Sequence, residues 1–177
     1  MAYLYKVYVR GDRAIESPIK KPRSSSHRMV DFEEMQKQRE EIGRKAEDFA
    51  LKWEKERLVG ASLERMVERI KDRRKQPGYG HDFLSYSSES EARFIEVKSV
   101  AKVKDGYRFF LSDNEHQTSL SEDHGTGYYF YLVFFDGKGS PVELLAVVAD
   151  RLYPKAELLP SSYEVRFDRE EFRKPAK

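Results

Sequence analysis

Cysteine is absent from the 177 residues, which excludes disulfides, thiolate catalysis, zinc ribbons and iron–sulfur clusters. Histidine is scarce. There are four, and no two stand at the i,i+4 spacing of a helical metal pair. No apolar run approaches the ~20 residues of a membrane span, and Met1–Arg10 (MAYLYKVYVR) carries charges within it, unlike a secretory signal. The expectation is a cytoplasmic protein, nuclear if eukaryotic, with no membrane partner. An excess of one charge is missing too: Lys+Arg 33 against Asp+Glu 31 leaves a formal +2. Composition therefore nominates no nucleic acid, and any basic footprint is local. What is plentiful is charge of both signs (36%) and aromatic area (13%). The length and these contents predict one globular domain of ordinary size with an appendage.

The appendage is N-terminal. Tyr3–Val9 reads as a short strand, and Ile15–Arg28 (IESPIKKPRSSSHR) holds two prolines and three serines that forbid a regular helix. Residues 1–30 carry seven Lys/Arg against two acids. They read as a basic strand and arm, either a solvated linker or a segment on which Lys20, Lys21, Arg23 and Arg28 contact phosphates. Residues 31–177 form the expected domain. Asp31 to about Leu58 is helical, with Ile42, Ala46, Phe49, Ala50 and Trp53 within one arc and Glu47 at its edge. A second helix is predicted over about Ser62–Arg74, with Arg65–Glu68 and Arg69–Asp72 as pairs on its outer face.

After Gly80 the period changes to two. Asp82–Ser87, Arg93–Val100 and Tyr107–Leu111 read as strands, and Ser112 with Glu115 has the form of a capping box opening a short helix. Tyr128–Phe135 (YYFYLVFF) is apolar on both faces, which fits a covered central strand better than a base-stacking platform. Val142–Val148 follows, and Tyr163, Val165 and Phe167 alternate in a last strand. The expected fold class is α/β, a mixed central sheet flanked by helices.

The chemistry concentrates in Gly80-His81-Asp82 and, fourteen positions after the aspartate, Glu96-Val97-Lys98. Alternation puts Glu96 and Lys98 on one face of a strand whose other face, Ile95 and Val97, anchors the core. Opposite charges there cost several kcal/mol to bury unless they are paired. A divalent cation, Mg²⁺ or Mn²⁺, shared by Glu96, Asp82 and the Val97 carbonyl would provide the pairing, because hard cations take oxygen ligands. Lys98 beside it could orient or deprotonate an attacking water, so the chemistry predicted is phosphodiester hydrolysis.

With Glu47 on the preceding helix, these residues resemble the PD-(D/E)xK nuclease superfamily, whose core is a mixed sheet flanked by helices. The closer resemblance is to the NO VEIN C-terminal domain family of plant nuclear and microbial restriction-type proteins. It is carried by Gly43-x-x-Ala46-Glu47, Gly80-His81-Asp82, Arg93-Phe94-Ile95-Glu96-Val97-Lys98, Phe109-Phe110-Leu111-Ser112-x-Asn114-Glu115 and the apolar Tyr128–Val133. It spans roughly residues 41–153. The superfamily's proline before the aspartate is His81 here.

The resemblance implies a restriction- or defence-related DNA endonuclease in which Asp82 and Glu96 are metal ligands and Lys98 is the catalytic lysine. It also implies a supporting acid in Glu47, with Asn114, Glu115 and Gln117 facing the site from the later helix. Two other functions fit the same residues. One is a catalytically silent nucleic-acid-binding module. The other is a protein-interaction domain, in which Tyr3–Val9 adds a strand to a partner sheet or a second copy. A homodimer or a subunit of a restriction-type complex is compatible with each.

Overall fold

The computed structural model describes residues 4–9, 32–104, 106–124 and 127–160. The elements run β1 (Leu4–Val9), α1 (Phe32–Gly60), α2 (Glu64–Val67), β2 (Lys71–Asp72), a 3₁₀ turn (Pro77–Tyr79), β3 (Phe83–Tyr86) and β4 (Ala92–Ser99). Then come β5 (Ala101–Val103), β6 (Gly106–Ser112), α3 (Asp113–Leu120), β7 (Tyr128–Phe135), β8 (Pro141–Val148), α4 (Ala149–Leu152), a 3₁₀ turn (Tyr153–Lys155) and β9 (Ala156–Pro160). Five strands form a mixed central sheet in the order β2-β3-β4-β7-β8, with β4 and β7 parallel and the other neighbours antiparallel. A second, antiparallel sheet has the order β5-β6-β1-β9. Among the described residues no helix is long and apolar enough to cross a membrane.

β7 sits in the middle of the central sheet because nothing along it asks for water. Its Tyr131, Val133 and Phe135 meet Ile42, Ala46 and Ala50 of α1, together with Phe83, Ile95 and Val97. Its Tyr128, Phe130, Leu132 and Phe134 meet Tyr107, Phe109 and Leu111 of β6 on the opposite face. The protein is thus layered as helix, central sheet and second sheet. The alternation of β4 follows: Ile95 and Val97 point to α1, leaving Phe94, Glu96 and Lys98 on the face of the second sheet and α3.

One polar side chain is built into the helix layer. Glu54, 1% exposed, accepts from Ser85 Oγ (2.5 Å), Tyr131 OH (2.5 Å) and both Nε and an Nη of Arg57 (2.7 and 2.8 Å). Arg57 also donates to the Tyr86 carbonyl, and Arg93 donates to Tyr131 OH at 2.9 Å while stacking on Tyr129. The network ties α1 to β3, β4 and β7.

Several expectations from sequence need correction. The predicted helix over Ser62–Arg74 ends after one turn, because Lys71 and Asp72 pair with Leu84 and Phe83 as an edge strand. Asp72 therefore pairs with Arg74 rather than Arg69, and Arg69 stacks over Tyr86 instead. β1 lies between β6 and β9 of its own chain, so both its edges are occupied and it has no free edge to offer a partner sheet. Strand β9 and helix α4 were not anticipated. Tyr163, Val165 and Phe167 lie outside the described residues, as does the basic arm with Lys20, Lys21, Arg23 and Arg28.

The capping box at α3 forms as the sequence suggests: Ser112 Oγ accepts from the Glu115 N–H (3.2 Å), and Glu115 Oε2 accepts from the Ser112 N–H (2.9 Å). Replacing Ser112 by alanine is expected to lower stability by ~0.5–2 kcal/mol, measurable as a shifted urea midpoint.

Candidate active site

Asp82 stands one residue before β3, where its backbone is already held. Its N–H donates to the Ile95 carbonyl (2.9 Å), and its own carbonyl accepts from the Arg73 N–H (2.7 Å). From there Oδ2 of Asp82 accepts the Val97 N–H at 2.8 Å, which fixes the carboxylate beside the middle of β4. On β4 the ammonium of Lys98 lies 2.7 Å from Glu96 Oε1 and 2.5 Å from Glu115 Oε2. Asp82, Glu96, Lys98 and Glu115 therefore form one cluster, assembled from β4, the start of β3 and α3. Glu115 completes the capping box and bonds Lys98 with the same oxygen, so the cap and a place facing the cluster coexist in one side chain.

The electrostatics follow from burial. Glu96 is 5% exposed, and desolvation holds its carboxyl well above the usual range, with the Asp82 and Glu115 charges adding to the shift against Lys98. Burial also raises Asp82, opposed by the Val97 N–H and Lys98. Burial lowers the pKa of Lys98, but the charges of Glu96 and Glu115 outweigh it and raise it above the usual value. Lys98 therefore stays an ammonium here. As an ammonium it can orient a water or stabilise developing negative charge. Three carboxylates against one ammonium leave a formal charge of −2 in the cluster when all are ionised.

Residues 46–146 match the family described as Protein NO VEIN, C-terminal. The chain belongs to that family. No curated protein and no solved structure matches it.

In this NO VEIN C-terminal domain the remaining candidates fall at graded distances from the cluster. Glu47 of α1 is bonded to Arg74 (3.4 Å), and Arg74 also holds Asp48 (2.9 Å) and Asp72 (2.6 Å). Burial raises the Glu47 carboxyl, and the charge of Asp82 raises it further. Glu47 thus feels the cluster without bonding to it. Asn114 Nδ2 donates to the Pro77 carbonyl (2.9 Å), tying α3 to the 3₁₀ turn. Gln117 is exposed on α3 and lines a cleft of about 500 Å³ next to the cluster. His81, in the bend before β3, is 8% exposed; it lines the same cleft, and burial lowers its pKa.

The donor chemistry suits a hard divalent cation. Asp82 and Glu96 are oxygen donors in an under-neutralised site, and alternation directs the Val97 carbonyl to the same side of β4 as the N–H that Asp82 holds. Among the described residues no three His, Cys, Asp or Glu side chains are arranged to hold a metal ion. Magnesium usually takes only one or two protein carboxylates and keeps several waters.

Sequence reasoning passed over two positioning groups. Tyr128 OH donates to the Gly80 carbonyl at 2.6 Å, pinning the chain two residues before Asp82. Gly80 itself has φ +64°, and a Cβ there would lie 2.2 Å from Thr118 Oγ1 of α3. Gly80→Ala is expected to cost ~1–3 kcal/mol through overpacking, visible in thermal melts. The Gly-His-Asp motif carried the signal for the glycine, but its neighbour on α3 did not show in sequence.

Proposed function

We propose that this domain is a metal-dependent nuclease of the PD-(D/E)xK type that hydrolyses DNA phosphodiester bonds in a restriction or defence setting. The observation that carries the reading is the convergence of Asp82, one residue before β3, with Glu96 and Lys98 of β4 in a buried cluster short of positive charge. Asp82, Glu96 and the Val97 carbonyl would hold Mg²⁺ or Mn²⁺. When bound, such an ion polarises a phosphoryl oxygen and lowers the pKa of a coordinated water.

The chain's own groups supply the rest. Lys98, kept protonated by its two carboxylates, orients the attacking water and stabilises charge developing on the phosphate. Glu115 holds Lys98 in place from α3. Glu47 adds negative potential from α1 near Asp82. Lys20, Lys21, Arg23 and Arg28 add phosphate contacts that do not depend on sequence, and Asn114 and Gln117 meet the DNA from α3. The test is nicking of supercoiled plasmid in Mg²⁺ or Mn²⁺ by the wild type, Asp82→Asn and Lys98→Ala. Nicking by the wild type that both substitutions abolish supports the assignment; undiminished nicking by both overturns it.

A further inference from the structure

Beside the acidic cluster lies a surface of opposite character. The cleft of about 500 Å³ is walled by the 3₁₀ turn and the start of β3 on one side and by α3 on the other. These are the same two segments that carry Asp82 and Glu115. The volume is within the range of small-ligand sites. No carboxylate is among its described lining residues, and Arg73 is its one formally charged side chain.

Rings dominate the wall. Tyr79, His81, Phe94 and His124 pack edge to face in sequence, at centroid distances of 5.9, 5.3 and 4.2 Å. The Arg73 guanidinium lies 4.0 Å from the Tyr79 ring centroid, yet Tyr79 remains 48% exposed, a flat surface open to solvent. Polar edges come from the Gln117, Thr118 and Ser121 side chains. Two enclosed nitrogens in this wall, His124 Nδ1 and Arg73 Nε, have no hydrogen-bond partner among the described residues. Flat aromatic walls with hydrogen-bonding edges and no acid are what a heteroaromatic ring requires.

We propose that this cleft binds an unpaired nucleobase of the DNA strand whose phosphodiester lies at the Asp82–Glu96–Lys98 cluster. The inference rests on the reading of that cluster as a nuclease site. It narrows the substrate to DNA that is single-stranded, mismatched or able to extrude a nucleotide next to the scissile bond. Tyr79 is the stacking surface and Gln117 reads the base edge.

The test measures binding in EDTA, where no cleavage occurs, by fluorescence anisotropy. The probes are a perfect duplex, the same duplex with one unpaired nucleotide, and the single strand. The wild type is expected to prefer the unpaired forms by about tenfold or more, the order set by stacking one base on an aromatic side chain. Tyr79→Ala should erase the preference while leaving duplex affinity in place, Tyr79→Phe should keep it, and Gln117→Ala should reduce it. Equal affinity for all three probes, or a preference untouched by Tyr79→Ala, overturns the base cleft. Plasmid nicking by the same preparations then reports on the nuclease site separately: equal binding with metal-dependent nicking sinks the base cleft alone. Absence of binding to every probe together with absence of nicking sinks both.

Discussion

Asp82→Asn is expected to abolish nicking and, at the same time, to raise the melting temperature. Asn keeps an oxygen that can accept the Val97 N–H, so the local geometry has no reason to change. What it removes is a charge that burial disfavours and that repels Glu96 and Glu47. The folded protein is relieved of that strain, whereas a site that binds a cation through the same charge is lost. Lys98→Ala is expected to lower the nicking rate by about 10²–10³, the usual cost of removing one group that stabilises transition-state charge. Its stability should move the other way, because the Glu96 and Glu115 carboxylates lose their shared partner. Opposite stability effects with a shared loss of activity separate a catalytic cluster from a structural ion pair. If the cluster is merely structural, Asp82→Asn leaves nicking, or DNA binding, as it was.

Glu54→Ala is expected to cost ~3–5 kcal/mol, a large share of the ~5–15 kcal/mol that holds a domain folded. The substitution removes the carboxylate partner of the half-buried Arg57 guanidinium and leaves the fully buried Ser85 Oγ without its acceptor and Tyr131 OH without its own. Breaking one partner of a satisfied buried network leaves the others uncompensated, which costs far more than the network contributes net. Glu54→Gln keeps the shape and an acceptor, so it should recover part of the loss. Urea titration with intrinsic Trp53 fluorescence reads both, since the Trp53 ring packs edge-on against Tyr131 at 5.3 Å. A cost for Glu54→Ala below ~1 kcal/mol, the value of an exposed pair, would mean that Glu54 is hydrated in solution.

Local pattern carried much of the fold. The doubly apolar YYFYLVFF run became the covered strand β7, and the Ile42–Ala46–Ala50 stripe became the face α1 lays on the sheet. The Ser112/Glu115 box opened α3 where expected. Each is a short-range effect: periodicity decides which face is apolar, and capping satisfies donors within a few residues. The convergence of Asp82 with Glu96 was legible for the same reason, because a short polar turn between two alternating strands leaves little choice of partner. The helix predicted over Ser62–Arg74 failed because the pairing of Lys71–Asp72 with Leu84–Phe83 overrode a weak helical period.

The amino-acid order by itself therefore determined the α/β class, the membership of β3, β4 and β7, and the placement of Glu96 and Lys98 on one face away from α1. Only the tertiary structure decided that β1 sits between β6 and β9, that Glu54 is buried in a closed network, that Glu115 serves Lys98, and that rings from three segments wall a cleft beside the acids. The physical reason is range. A strand's period says which side chains share a face but not which distant strand lies alongside. The state of a buried charge depends on partners that arrive from elsewhere in the chain.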